Sequence, residues 1–336
     1  MTNLVYIGNK LNNARATVTS IDVLGPLLEN EGYRVTYASG KSNKTLRFLD
    51  MLFTVWKSRR TTDYVLIDTY STLNFYYAFA VSQVCRCLQI KYIPILHGGN
   101  LPERLERHPK MSQAVFNHAF ANMAPSLYLK TAFESKGYTS IVNIPNAINL
   151  GAYAFKERTI DEIQLLWVRA FHKTYNPLLA IAVVKALQAT GASATLTMVG
   201  PDKDGTLQQA KAYAEKQGVT VKFTGKLEKA EWITLSQQCN VFINTTHFDN
   251  MPVSVLEAMA LGLPVVSTNV GGMPYIINDQ TDGILVEPDA VQPFVEAIQG
   301  LKKDPDLTKK ITRNARKKVE QYDWEIVKDL WKSLLV

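Results

Sequence analysis

Two acidic residues eight positions apart, Asp249 and Glu257, frame a stretch that is otherwise free of charge up to Asp279. Pro252 suits the first turn of a helix, where its missing N–H costs nothing. Residues 252–261 read as that helix, Gly262 ends it, and Pro264–Thr268 is a β-branched run fit for a buried parallel strand. A lone carboxylate in apolar surroundings must find a partner, because an unpaired buried charge is expensive. The helix start offers free backbone N–H groups at Met251, Val253 and Ser254, a seat for phosphate. An anion seat with acceptors on either side suits a sugar nucleotide. A second set of residues agrees with this. Arg169 and Lys173 follow the apolar run Ile163–Val168, past the carboxyl end of a predicted strand, where both can hold a diphosphate. Arg169 is the clearer candidate, since its side chain keeps its charge. His97 ends another apolar run ahead of two glycines, an exposed position for a titratable ring. Gly8 lets the chain turn tightly near a ligand, but no G-x-G-x-x-G follows it, which counts against a dehydrogenase.

The segment from Asp249 through Glu257 into AMALGLPVVSTNVGGMP resembles the E-x7-E region of retaining glycosyltransferases of family four, which have the GT-B fold. The acidic pair, EAMA, G-x-P-V-V and GG-x-P all fall in register. Asp249 stands where the family usually has Glu, and Asn250-Met251-Pro252 where Gly-Phe-Gly is common. The resemblance implies that Glu257 accepts hydrogen bonds from ribose hydroxyls and Asp249 holds hydroxyls of the transferred sugar. It also implies that Arg169, Lys173 and the amides after Asn250 carry the diphosphate, and that Gly225 and Lys226 lie beside the base. His97 would contact the sugar, and Gly8 would match the loop lying against donor phosphates or acceptor. Pro145–Asn149 (PNAIN) resembles the segment that closes the first domain in this family. Retention without an evident nucleophile implies attack on the face that the leaving phosphate occupies.

These groups need a frame. The first half alternates predicted strands (Leu4–Gly8, Arg34–Ala38, Tyr64–Asp68, Lys91–Leu96, Asn122–Ala124, Ser140–Ile144) with helices over about 16–31, 44–58, 73–88, 111–118 and 125–136. Strands at Ile163–Val168, Thr195–Val199, Val219–Thr224 and Val241–Asn244 continue the pattern in the second half, with helices between them. Such alternation predicts parallel sheets with helices on both faces and ligands beyond the carboxyl ends of the strands. The expected fold is α/β of GT-B architecture: two Rossmann-like, doubly wound parallel-sheet domains facing an inter-domain cleft. Residues 1–150 would form the acceptor side and 151–321 the donor domain, with 150–161 as linker. A helix over 322–336 would cross back to the first domain. The charged segment Pro102–Lys110 reads as a flexible loop on the acceptor side.

Composition narrows the class further. With 336 residues, the chain fits two medium domains. The first ten residues read as a strand and lack a signal-peptide layout. Cys85, Cys87 and Cys239 have no metal-ligand spacing, so a reducing cytoplasm is the plain expectation. The net charge of +7 is carried by residues 1–150, which hold 16 basic and 9 acidic residues. Lys41, Lys44, Arg47, Lys57, Arg59 and Arg60 flank an apolar set around Phe48 and Trp56, which reads as a basic amphipathic helix able to lie on anionic membrane. The expected activity is hexosyl or N-acetylhexosaminyl transfer from a UDP-sugar to a saccharide or lipid-linked acceptor in polysaccharide synthesis, without a metal or other cofactor. The expected location is cytoplasmic, peripheral on the inner face of the membrane. A nucleotide-sugar epimerase of the same fold is the alternative enzyme. A non-enzymatic nucleic-acid binder is the reading from charge only, and no nucleic acid is expected as a partner.

Overall fold

A computed structural model describes residues 1–11 and 19–336. Asn12 and Asn13 of the first loop, and the start of the helix expected from residue 16, lie outside the described residues. The chain divides into two compact units, Met1–Pro145 together with Glu325–Val336, and Asn146–Trp324.

The first unit is built on six strands, β1 (Asn3–Ile7), β2 (Arg34–Ala38), β3 (Tyr64–Thr69), β4 (Lys91–Leu96), β5 (Asn122–Ala124) and β6 (Ile141–Asn143). All pair in parallel in the order β2-β1-β3-β4-β5-β6. β3 is buried at all six positions, as a central strand covered on both faces must be. Its helices are α1 (Ser20–Asn30), α2 (Lys44–Ser58), α3 (Phe75–Cys87), α4 (Leu101–Arg107), α5 (Pro109–Phe116) and α6 (Leu127–Glu134). One core joins Val5, Ile7 and Ile67 to Met51, Val55, Val81 and Cys85. A second joins Leu96 and Ala124 to Leu101, Leu105, Phe116 and Phe133.

The segment Pro102–Lys110 is helical rather than a flexible loop. Pro102 and Pro109 each sit in a first helical turn, and Leu101 and Leu105, one turn apart, are buried. The five charged side chains in this segment masked that pair.

The second unit carries β7 (Ile163–Val168), β8 (Ala194–Val199), β9 (Val221–Gly225), β10 (Val241–Asn244), β11 (Val265–Thr268) and β12 (Ile284–Val286), again all parallel, in the order β12-β11-β10-β7-β8-β9. Its helices are α7 (Pro177–Ala189), α8 (Thr206–Gln217), α9 (Lys229–Ser236), α10 (Val253–Ala260), α11 (Met273–Ile276), α12 (Val291–Lys303) and α13 (Pro305–Val319). In each sheet the chain reverses its direction of progress once, between β1 and β3 and between β7 and β10. Ligands of open α/β sheets sit at such switch points, outside the carboxyl ends of the strands.

Residues 150–161 lack regular periodicity but do not hang free as a linker. The Tyr153 and Arg158 side chains are buried, and Lys156 N–H donates to the Leu261 carbonyl at 3.2 Å. From Trp324 the chain forms α14 (Trp324–Leu334). Within the first unit, Lys332 and Lys328 of this helix reach Glu31 at 2.7 and 3.6 Å, while Val327 and Trp331 are buried. Trp331→Ala is expected to destabilise the fold by about 3–5 kcal/mol. Lys332→Ala, at a partly exposed ion pair, should cost less than about 1 kcal/mol. Urea unfolding of both variants checks the contrast.

Candidate active site

Arg169 is the first residue after β7 and Asp249 lies in the loop after β10, so both sit at the switch point of the second sheet. Their side chains form an ion pair, Arg169 Nη2 to Asp249 Oδ2. The guanidinium also lies over the Tyr175 ring, 4.7 Å from its centroid. Arg169 is largely buried, and this burial lowers its pKa. A fixed guanidinium, desolvated and already oriented, is a strong receptor for a bidentate anion.

Threonine hydroxyls and glycines hold the Asp249 loop in place. Thr245 Oγ1 donates to the carbonyls of Tyr175 or Asn176, both at 2.9 Å, and accepts from Trp167 Nε1 at 3.1 Å. Thr268 Oγ1 donates to the Thr246 carbonyl at 2.6 Å. Gly272 N–H donates to the Asp249 carbonyl at 2.9 Å, and a Cβ at Gly272 would collide with the carbonyl of Asn250. The pair Gly271-Gly272 therefore serves close approach to the backbone of residues 249–250.

Pro252 caps α10 in an extended conformation, and the helix runs from Val253, so the amides of Val253 and Ser254 lack intrahelical acceptors. Asn146 Nδ2 donates to the Met251 carbonyl at 3.2 Å, which ties the PNAIN segment to this helix start. Glu257, in the second turn of α10, is 4% exposed. Its Oε1 accepts from Tyr153 Oη at 2.6 Å and meets Lys229 Nζ at 2.5 Å. Burial first, then the Glu257 carboxylate, pushes the Tyr153 phenol far up, so it remains a donor. The partner demanded by a buried carboxylate is thus a phenol and an ammonium. Both are contributed by segments distant in sequence.

Other expected residues of this unit lie at the margins of the cluster. Lys173 is exposed, and its backbone N–H donates to Asp204 Oδ2 at 3.1 Å. Its side chain forms no ion pair among the described residues. Gly225 closes β9 with positive φ and its carbonyl accepts from Gly200 N–H at 2.9 Å. Lys226 is exposed, 3.8 Å from Glu228.

The first unit has its own polar cluster at its switch point. His97, expected to be exposed, has a side chain only 12% exposed, and its Nε2 lies 2.8 Å from Asp68 Oδ1 at the end of β3. Tyr6 Oη donates to the same oxygen at 3.0 Å, and Tyr70 stacks on the imidazole at 5.0 Å. Burial, then the Asp68 charge, raises the Tyr6 and Tyr70 phenols, so both stay neutral. A carboxylate facing Nε2 fixes the proton there and leaves Nδ1 as the acceptor. Asp68 Oδ2 is buried without a hydrogen-bond partner among the described residues. It lies where a Cβ at Gly8 would be, at 2.5 Å, so glycine at position 8 makes room for this carboxylate.

Sequence reasoning missed Asp68, Tyr6, Tyr153, Tyr175 and Lys229. Asp68 left a trace, as the one charge in the apolar strand Tyr64–Thr69; the others gave no spacing signal. Tyr153→Phe leaves Glu257 with Lys229 alone and should cost about 1–3 kcal/mol of stability. Chemical denaturation of this variant beside Tyr322→Phe, whose phenol has no hydrogen bond to Glu257 or Lys229 among the described residues, checks it.

Residues 154–318 match the model of the family described as Glycosyl transferases group 1. Glycogen synthase from Mycobacterium tuberculosis is 27% identical over 197 residues, covering 57% of this chain and 47% of that protein. The chain thus spans about half the length of this curated relative. A sulfoquinovosyl transferase from Arabidopsis thaliana is 34% identical over 110 residues, covering 32% of this chain and 22% of that protein. Among solved structures, a sucrose-phosphate synthase from Thermosynechococcus elongatus superposes with a TM-score of 0.81 at 15% identity, covering 99% of both chains. Anabaena HepE in complex with UDP-glucose gives 0.79 at 16% identity, also over 99% of both. These neighbours share the GT-B fold, as expected from the sequence. Residues 154–318, which make up most of the second unit, belong to the group 1 glycosyl transferases.

Proposed function

We propose that the chain transfers a sugar from a nucleoside-diphosphate donor, a UDP-sugar, to a saccharide or lipid-linked acceptor with retention at the anomeric carbon. The observation that supports this is the Arg169–Asp249 pair set against the open start of the helix that carries Glu257. A desolvated guanidinium, free helix-start amides and a buried carboxylate on one helix together provide for diphosphate and ribose. HepE, of the same fold, was solved with UDP-glucose.

In this reading Arg169, Lys173 and the amides of Met251, Val253 and Ser254 hold the diphosphate, and Glu257 takes the ribose hydroxyls. Gly225 and Lys226 lie beside the base. Asp249 holds hydroxyls of the transferred sugar, and His97, oriented by Asp68, offers Nδ1 to a sugar hydroxyl. Charge develops on the leaving diphosphate as the glycosidic bond to it breaks. Arg169 and the amides stabilise that charge where it forms, which lowers the barrier. The acceptor hydroxyl attacks from the same face, and the departing phosphate oxygen takes its proton. Fixed cations and amides supply this stabilisation without requiring a metal ion. The protein would act in the cytoplasm, on saccharide or lipid-linked acceptors of polysaccharide synthesis.

A panel of nucleotide sugars in thermal denaturation tests the donor site. At a hundred times the dissociation constant the correct donor should stabilise by roughly 2.7 kcal/mol. Arg169→Ala should reduce that shift, measured against its own ligand-free baseline, and Lys57→Ala should not. No shift with any UDP-, GDP- or ADP-sugar would refute the site. Asp249→Asn should lower the single-turnover transfer rate at saturating donor while leaving nucleoside-diphosphate binding nearly intact, because the sugar contact changes during reaction. A wild-type rate would remove Asp249 from the sugar. Product formed from donor alone would favour the epimerase.

A further inference from the structure

α2 is apolar on two opposite faces, and only one of them meets the core. Met51 and Val55 are buried in the first unit's core, with Phe48 and Leu52 packed against it. Leu46, Leu49, Phe53 and Trp56, at i, i+3, i+7 and i+10, form a stripe on the other side and are 58%, 54%, 56% and 51% exposed. The rings of Phe53 and Trp56 lie 5.9 Å apart, and the Arg59 guanidinium caps the indole at 4.5 Å. An amphipathic surface helix needs only its core-facing stripe to fold. Among the described residues the second stripe joins no buried core, and contiguous exposed apolar surface of this kind marks a docking face.

Charge identifies what docks there. Residues 41–60 hold six basic residues and a single acid, Asp50. That acid accepts a hydrogen bond from Ser39 Oγ at 2.5 Å. Lys41 and Lys44 stand at one end of the helix and Lys57 and Arg60 at the other, and none of the four forms an ion pair among the described residues. A second copy laid antiparallel on the stripe would set Lys41 and Lys44 against Lys57 and Arg60, like charge on like. A sheet of anionic headgroups meets all of them at once. A 15-residue helix is about 22 Å long, and lies in the interface plane with its apolar side chains in the acyl boundary and its lysines reaching phosphate.

We infer that α2 docks the first unit onto an anionic lipid bilayer by inserting Leu46, Leu49, Phe53 and Trp56 between headgroups held by Lys41, Lys44, Lys57 and Arg60. This deepens the reading of a lipid-linked acceptor, but the docking needs no donor, so binding measured without nucleotide separates failure here from failure of the transferase reading.

Trp56 provides the readout. The other four tryptophans, Trp167, Trp232, Trp324 and Trp331, are buried, so an environment change at the surface is reported by Trp56. Vesicles of phosphatidylglycerol and phosphatidylcholine should shift the emission to the blue, and brominated acyl chains should quench it. Trp56→Phe should keep vesicle flotation and lose the shift. Phe53→Ser with Trp56→Ser, exposed positions whose change leaves the core intact, should lose flotation with an unchanged circular dichroism spectrum. Lys57→Glu with Arg60→Glu should weaken binding by more than about tenfold. Equal recovery with neutral and anionic vesicles would overturn the inference. So would a dimer in sedimentation that the Phe53 and Trp56 substitutions dissolve while anionic vesicles leave Trp56 emission unchanged.

Discussion

A buried carboxylate cannot stand alone, and Glu257 imposes that constraint on the whole second unit. It sits in an eight-residue helix whose other side chains are apolar or small, flanked by fully buried Leu256 and Ala258. An ionised group there must be paired and hydrogen-bonded or the helix cannot pack. Tyr153, from the segment that enters the unit, and Lys229, from the start of α9, converge on one oxygen of it. The irregular stretch 150–161 is ordered against the unit partly to deliver that phenol. A hydroxyl-bearing ligand can take the same kind of place, since a carboxylate oxygen accepts from any donor that reaches it.

The same logic recurs at the switch point of the first sheet. Asp68 is fully buried, accepts from Tyr6 and faces His97, and its second oxygen has no partner among the described residues. Burial keeps the phenols of Tyr6 and Tyr70 neutral, so neither is a competing anion, and Tyr6 donates to the carboxylate. A half-satisfied buried carboxylate is costly, and structures retain such groups where orientation of a neighbour matters. The neighbour here is an imidazole at the end of β4.

The sequence made the frame legible because parallel, doubly covered strands read as short β-branched runs with helix-length spacers. α4 escaped because charges outnumber apolar residues in Pro102–Lys110, whereas α5 overlaps the helix expected over 111–118. Asp249, Glu257 and Arg169 could be read from local chemistry, each being a charge in or just past an apolar run. Tyr153 lies 104 positions from Glu257, so its hydrogen bond exists only in the folded chain. Asp68 and Gly8 meet for the same reason: one needs the space that the other's missing Cβ leaves. The division of α2 into a core stripe and an outward stripe also depends on which face the sheet covers, and sequence periodicity alone mixes the two.

The account rests on Glu257 as the ribose acceptor of a nucleoside diphosphate. Calorimetric titration of wild-type protein and Glu257→Gln with the free diphosphate of the preferred donor tests this most directly, since no transfer step intervenes. Loss of a hydrogen bond to a charged group should weaken binding by roughly 1.5–3 kcal/mol, at unchanged stoichiometry. Equal affinities for the two proteins would contradict the assignment and leave Glu257 a purely structural partner of Tyr153 and Lys229.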